Sequence, residues 1–271
     1  MRKISQITHD IAWHEVPEWM DAPRKKNSMN ASQEESDTKW AGTKTLEEAT
    51  ELMTHGWQAG LNMVKQGLTY ELADTGMDDA PQWEIGMAGQ RPNIGAYCSG
   101  APEHMMYMHD TSGQEPIIKM IVDVVCSHGV KGSAMINRGI ALVGLIDYIE
   151  STGKRVHLIA RWATRDHYNK RDFTFNVTVK APEEHMDMGR VAFAIGNPAF
   201  SRRIMFKFLE NTTPSCMSGY GTPRSLTDVP DDVMYMEMMR GNSEWSTAQQ
   251  GYDLVKSQWD EQCARMDGGD A

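Results

Sequence analysis

The chain has 271 residues, 40% hydrophobic and 24% charged, the proportions of an ordinary soluble protein. Its formal net charge of −10 argues against a dominant nucleic-acid surface, which needs clustered Lys and Arg to release counterions. No apolar run approaches the roughly 20 residues that span a bilayer. His9, Asp10, His14, Glu15 and Glu18 make the first twenty residues unlike a signal peptide, so the expectation is a cytoplasmic protein without membrane contact.

Residues 1–44 read as an irregular N-terminal segment. Trp13, Val16 and Trp19 form a short amphipathic piece limited by Pro17, and Asp21 to Thr38 is a polar loop. Residues 45–116 read as a helix and a loop-rich region packed on the core. Thr45-Leu46-Glu47-Glu48 is a capping box. Leu46, Ala49, Met53, Gly56, Gly60 and Met63 then recur at helical spacing, which predicts one helix over about 46–66 stopped by Gly67. Trp83 to Ala88 reads as a strand and His104 to His109 as extended chain, with a Gly- and Pro-rich loop between them.

The regular α/β core is placed at 117–265. Ile117 to Val125 is rich in β-branched residues and reads as a buried strand, and Ser127 to Ser133 is a turn. Ala134 to Ile149 has helical spacing ended by Gly153, and Arg155 to Ala160 resumes strand character. Strand, helix and strand in that order imply a parallel pair. Phe173 to Val179 alternates strictly, as a strand with one wet face does, and the charged turn Arg165 to Arg171 makes it antiparallel to its predecessor. A helix over Glu184 to Gly196 is interrupted at Asn197-Pro198 and resumes from Phe200 to Leu209. After a long loop, Val233 to Met238 is a further strand. Ser246-Thr247-Ala248-Gln249 is a second capping box, starting a last helix that buries Tyr252, Val255 and Trp259. Residues 266–271 form a flexible tail. The fold class is therefore α/β: a partly parallel sheet flanked by helices in the order β-α-β-β-α-β-α, with an irregular N-terminal extension.

Motifs for chemistry are sparse. The four cysteines form no CxxC pair, and Cys126, at a strand end, reads as a small hydrophobe. Met105, Met106 and Met108, like Met234, Met236, Met238 and Met239, read as core packing. His104 and His109 match no zinc spacing, no GxSxG elbow occurs, and nothing places a base near Cys216 or Ser218. Gly129 and Gly132 are too close for a P-loop. Two residue sets remain as binding candidates. Open α/β sheets bind ligands at strand carboxyl ends, which selects Asp123, Ser127, His128 and Lys131. Around the hairpin, Arg161, Trp162, Arg165, Tyr168, Lys170 and Arg171 interleave cations with aromatics as single-stranded nucleic-acid binders do, with Arg202, Arg203 and Lys207 on the following helix.

The element order over 117–265 resembles a von Willebrand factor A-type domain. That family's metal motif, Asp-x-Ser-x-Ser, is matched here by Asp123-Val124-Val125-Cys126-Ser127, with Val125 at the middle hydroxyl. The resemblance implies a hard cation such as Mg²⁺ on Asp123 and Ser127, but those two alone supply too few oxygens, so no metal and no cofactor is the expectation. Trp40-Ala41-Gly42-Thr43, Gly56-Trp57-Gln58-Ala59-Gly60, Gly89 to Tyr97, Gly100 to Met105 and Asn137-Arg138-Gly139 resemble an uncharacterised family of tailed-phage proteins. That resemblance implies a viral origin, action in the host cytoplasm and no known activity. The first expectation is a non-catalytic phage protein that binds a protein partner of phage or host. Alternatives are a nucleic-acid-binding accessory factor in phage replication or transcription, and a metal-dependent hydrolase or nuclease using Asp123.

Overall fold

In a computed structural model of the chain, the residues described are 4–21, 31–34, 37–71, 83–86, 91–92, 101–103, 105–108, 117–151, 153–213 and 219–268. The chain opens with strand β1 (Ser5–Ala12), a 3₁₀ turn (Trp13–Glu15) and α1 (Val16–Asp21). It continues with α2 (Thr38–Ala41), α3 (Leu46–His55) and α4 (Gln58–Glu71). Three short strands, β2 (Trp83–Gly86), β3 (Arg91–Pro92) and β4 (Met105–Met108), pair as a small sheet in the order β2-β4-β3. The core follows with β5 (Ile117–Asp123), α5 (Gly132–Ser151), β6 (Arg155–Asp166), β7 (Arg171–Lys180) and α6 (Met188–Gly196). A π-helical turn (Phe200–Ile204) leads into α7 (Met205–Thr212), β8 (Thr222–Pro223), β9 (Val233–Met236) and α8 (Ala248–Gly268).

The main sheet has the order β1-β7-β6-β5-β9, with β8 paired to the far end of β6. β9, β5 and β6 run parallel, β7 turns back against β6, and β1 runs parallel to β7. The expected α/β class is therefore present, with a sheet that is mostly parallel instead of the partly parallel one expected. The chain order of elements from β5 is the expected one apart from the short added strand β8.

Period-two burial decides how the sheet is covered. Met120 and Val122 on β5, Leu158 and Ala160 on β6, and Phe175 and Val177 on β7 are all buried on one face, under the helices. α5 is apolar nearly all round, as a helix enclosed by a sheet and other helices must be. It packs on α4, α6 and α8. A Cβ added to Gly139 would lie 2.1 Å from the Cα of Gly196, so α5 and α6 cross at backbone contact. The opposite face forms an open groove of about 590 Å³, floored by Thr8, Ile121, Ile159, Thr174 and Thr178. No helix among the described residues lines it.

Several expectations need correction. The irregular segment 1–44 contributes β1, a full edge strand paired to β7 from Ser5↔Arg171 to Ala12↔Thr178. Ile7, His9 and Ile11 point to the helical side, and a polar His9 at the middle inward position hid the alternation. The single helix over 46–66 is two, because Gly56 at φ +78 breaks it where the backbone meets Gly189. Gly67 does not stop the second piece, which runs to Glu71. Of the first capping box only the Thr45 half forms: Glu48 N donates to Thr45 Oγ1, while the Glu48 carboxylate accepts from Lys44 N instead of Thr45 N. In the second, Thr247 caps Gln250 instead of Ser246 capping Gln249.

His9 stacks on Phe175 at 5.4 Å between ring centroids and meets Trp19 edge-on at 4.9 Å. Burial lowers its pKa, and burial with Lys119 nearby does the same to His157. The unfolded chain then binds protons that the folded chain refuses. Their stabilising contribution is full above the ordinary imidazole value of about 6.5 and is lost as pH falls through the lowered values. Urea midpoints should drop from pH 7 to pH 5, and His9→Phe should flatten that slope. Parallel slopes for the two proteins would refute the role of His9.

Candidate binding cleft

Past Asp123 the chain runs along the sheet end, where Cys126 makes a parallel bridge with Met239, and turns at Ser127 to Val130. The turn is pinned from two sides. Asn242 accepts from Lys131 N at 2.7 Å and donates to Gly129 O at 3.1 Å. Arg202, from the π-helical turn, donates to Val130 O at 2.6 Å, to Cys126 Sγ at 3.4 Å and to Trp40 O. Its guanidinium lies 4.5 Å from the centroid of the Trp40 ring. Trp40 in turn donates from Nε1 to His128 O at 3.1 Å.

Trp40 and His128 stand between two cavities and line both. One, of about 560 Å³, is lined by Lys39, Gly129, Lys131 and Ser133. The other, of about 570 Å³, is lined by Ser127, Trp162, Ser201, Phe206 and Tyr220. Ser127, His128 and Lys131 are exposed on the rim. Of the carboxyl-end set, the structure brings these three together and turns Asp123 away.

Asp123 is buried on the groove side of the sheet. One carboxylate oxygen accepts from Arg161 Nη1 at 2.7 Å and the other accepts from the hydroxyl of Tyr235. Desolvation raises its pKa against the opposing pull of Arg161, and burial also drives the Tyr235 hydroxyl upward. Arg138 of α5 ties the strand ends together, donating to Asp123 O (2.8 Å), Met236 O (3.1 Å) and Glu237 O (2.8 Å). Complete burial pulls its pKa down to about 10.

These residues do not fit a divalent cation. Both oxygens of Asp123 are engaged, Val125 offers no hydroxyl, Ser127 faces the cleft, and the Arg138 guanidinium already holds the carbonyls at the strand ends. Among the described residues no three His, Cys, Asp or Glu side chains gather as a metal site would need. Millimolar Mg²⁺ or Mn²⁺ should leave the melting temperature unchanged, and a rise of a few degrees would contradict this geometry.

The hairpin set is not one surface. Arg165 makes a bidentate pair with Asp172, both contacts at 2.6 Å, and Arg224 joins the same carboxylate at 3.3 Å. Arg171 pairs with Asp166 at 3.0 Å and Arg161 with Asp123. Neighbours in a strand point to opposite faces, so Trp162 is buried under the helices at 1% exposure while Arg161 and Arg165 face the groove. Tyr168, 73% exposed, and Lys170, at φ 52, sit at the turn. Arg202, Arg203 and Lys207, expected as surface cations, are buried. His104, His109, Cys216 and Ser218 lie outside the described residues.

Sequence reasoning missed Trp40, Arg138 and Arg202 as organisers of the cleft. The signals were a lone cation in the apolar run of α5 and an arginine pair between Phe200 and Ile204, each a charge where helical spacing demands burial.

Fold and cleft together define an α/β protein with helices on one face of its sheet and a pocketed loop at the carboxyl ends of β5 and β6. Residues 9–258 match the family described as Domain of unknown function (DUF7192), and the chain belongs to that family. No curated protein and no solved structure matches it. No helix among the described residues is long and apolar enough to cross a membrane.

Proposed function

We propose that this is a phage-encoded, non-catalytic binding protein, a degenerate von Willebrand A-like domain that engages a protein partner through the rim Ser127, His128 and Lys131. One observation carries the reading. The exposed rim is pinned from beneath by Asn242 and Arg202, while the acid that would do chemistry, Asp123, is locked between Arg161 and Tyr235. A preformed loop with its reactive neighbour withdrawn suits recognition better than turnover. The placing of β5 between β6 and β9, with β7 antiparallel beyond, supports the A-like comparison.

Affinity capture from infected and uninfected host extracts, using wild type beside a His128→Ala, Lys131→Glu double variant, tests it. The expected result is a protein retained by wild type and lost from the folded variant. Capture that is identical with both baits would overturn the rim as the contact. Anisotropy titrations with single-stranded DNA and RNA at low salt should be flat, because Arg161, Arg165 and Arg171 are paired with carboxylates. Salt-sensitive binding weakened by Arg165→Ala and Arg171→Ala would replace this reading with the nucleic-acid one.

A further inference from the structure

We propose that the cavity between Trp40 and Tyr220 binds an uncharged planar heteroaromatic group carrying a hydrogen-bond acceptor, of the class of a nucleobase or nucleoside. The site shares Ser127 and His128 with the rim but does not rest on the partner reading. Three observations meet there. Trp162 forms part of the cavity wall and is 1% exposed, yet its indole Nε1–H has no hydrogen-bond partner. A buried donor without an acceptor costs free energy that a ligand acceptor would recover. Second, Phe206 is the hub of an aromatic lining: it stacks on Tyr220 at 3.7 Å and 11°, meets Trp162 edge-on at 6.2 Å and leans on Trp40 at 6.5 Å. Ring faces of this kind accept flat π-systems. Third, the wall includes Ser201 and Arg202 from the π-helical turn Phe200–Ile204, an irregularity that recurs at functional sites.

The volume, about 570 Å³, is that of a small-molecule pocket. Position agrees too, since Val125 to His128 and Thr164 place it at the carboxyl ends of β5 and β6. The electrostatics select a neutral ligand over a phosphorylated one. Arg202 is the cation in the wall, and it already donates to the carbonyls of Trp40 and Val130 and to the Cys126 thiol. The Thr164 hydroxyl is likewise committed, to Tyr220 O at 2.7 Å. Ser127 and Ser201 add hydroxyls for the ligand's edge.

Ligand-observed NMR and calorimetry on the full chain, with adenosine, guanosine, cytidine and uridine, their 5′-monophosphates and N-acetyltryptophanamide, test this directly. At least one nucleoside should bind saturably, and its monophosphate should bind no more tightly. Trp162→Phe keeps an aromatic side chain, though a smaller one, and deletes the donor, so affinity should fall about tenfold. If that variant does not fold, Trp40→Ala on the outer wall carries the test and should weaken binding at least as much. No saturable nucleoside binding at millimolar concentration would overturn the proposal, as would unchanged affinity in the folded variant. Preferential binding of N-acetyltryptophanamide would also overturn it, assigning the pocket to an aromatic side chain of a protein.

Discussion

Arg203→Ala is expected to destabilise the protein by at least about 3 kcal/mol, because several buried carbonyls lose a charged donor at once. Arg203 is fully buried and donates to the carbonyls of Ala31, Ser32, Glu34, Thr43 and Lys44, at distances between 2.5 and 3.3 Å. Each acceptor left unsatisfied costs about 1–3 kcal/mol unless water reaches it. The stretch it grips carries Trp40 between its two attachment points, and Glu210 holds the first of them by accepting from Ser32 Oγ at 2.6 Å. Chemical denaturation should therefore show a large loss, and the fluorescence of Trp40, isolated by comparison with Trp40→Phe, should report a loosened indole. A loss under 1 kcal/mol would show that the clamp does not hold this segment.

Gly139→Ala should cost about 3 kcal/mol, the upper end of what overpacking a core costs. The added methyl would sit 2.1 Å from Gly196 Cα and 2.9 Å from its nitrogen, and backbone cannot rotate aside as a side chain can. For a chain of this size that corresponds to a fall in melting temperature of roughly 5–6 °C. Gly196→Ala is the internal control, because its Cβ would meet Gly139 Cα at 3.2 Å, a contact that a small shift relieves. The order of the two losses is the test. If Gly139→Ala melts with wild type, the helices do not touch where the structure puts them.

Much of the sheet was legible because its signals are local. Ile117 to Asp123 declares a strand by composition, Phe173 to Val179 by alternation, and the chain direction between them follows from connection length. What failed was non-local. Gly56 looks like an ordinary helical position until Gly189, far along the chain, is brought against it. Arg202 and Arg203 carry the same charge as the hairpin arginines, and only burial separates a clamp from a surface patch. The wrong face assigned to Trp162 was avoidable, since period two already sets it opposite Arg161. For the cleft, Ser127, His128 and Lys131 were selected by the rule for strand ends. Trp40, more than eighty positions earlier, enters through a hydrogen bond that no local pattern announces.

The N-terminal strand has a consequence for biosynthesis. β1 pairs with residues 166 positions downstream, as Gln6–Asp172 and Asp10–Asn176 show. On the ribosome, Ile7 and Ile11 must wait unpaired until β7 has emerged. Throughout that interval the unpaired backbone N–H and C=O groups of the nascent strand are free to meet a chaperone or another polysome-borne copy. Completion of the sheet is thus a late event in synthesis, whatever the speed of local helix formation.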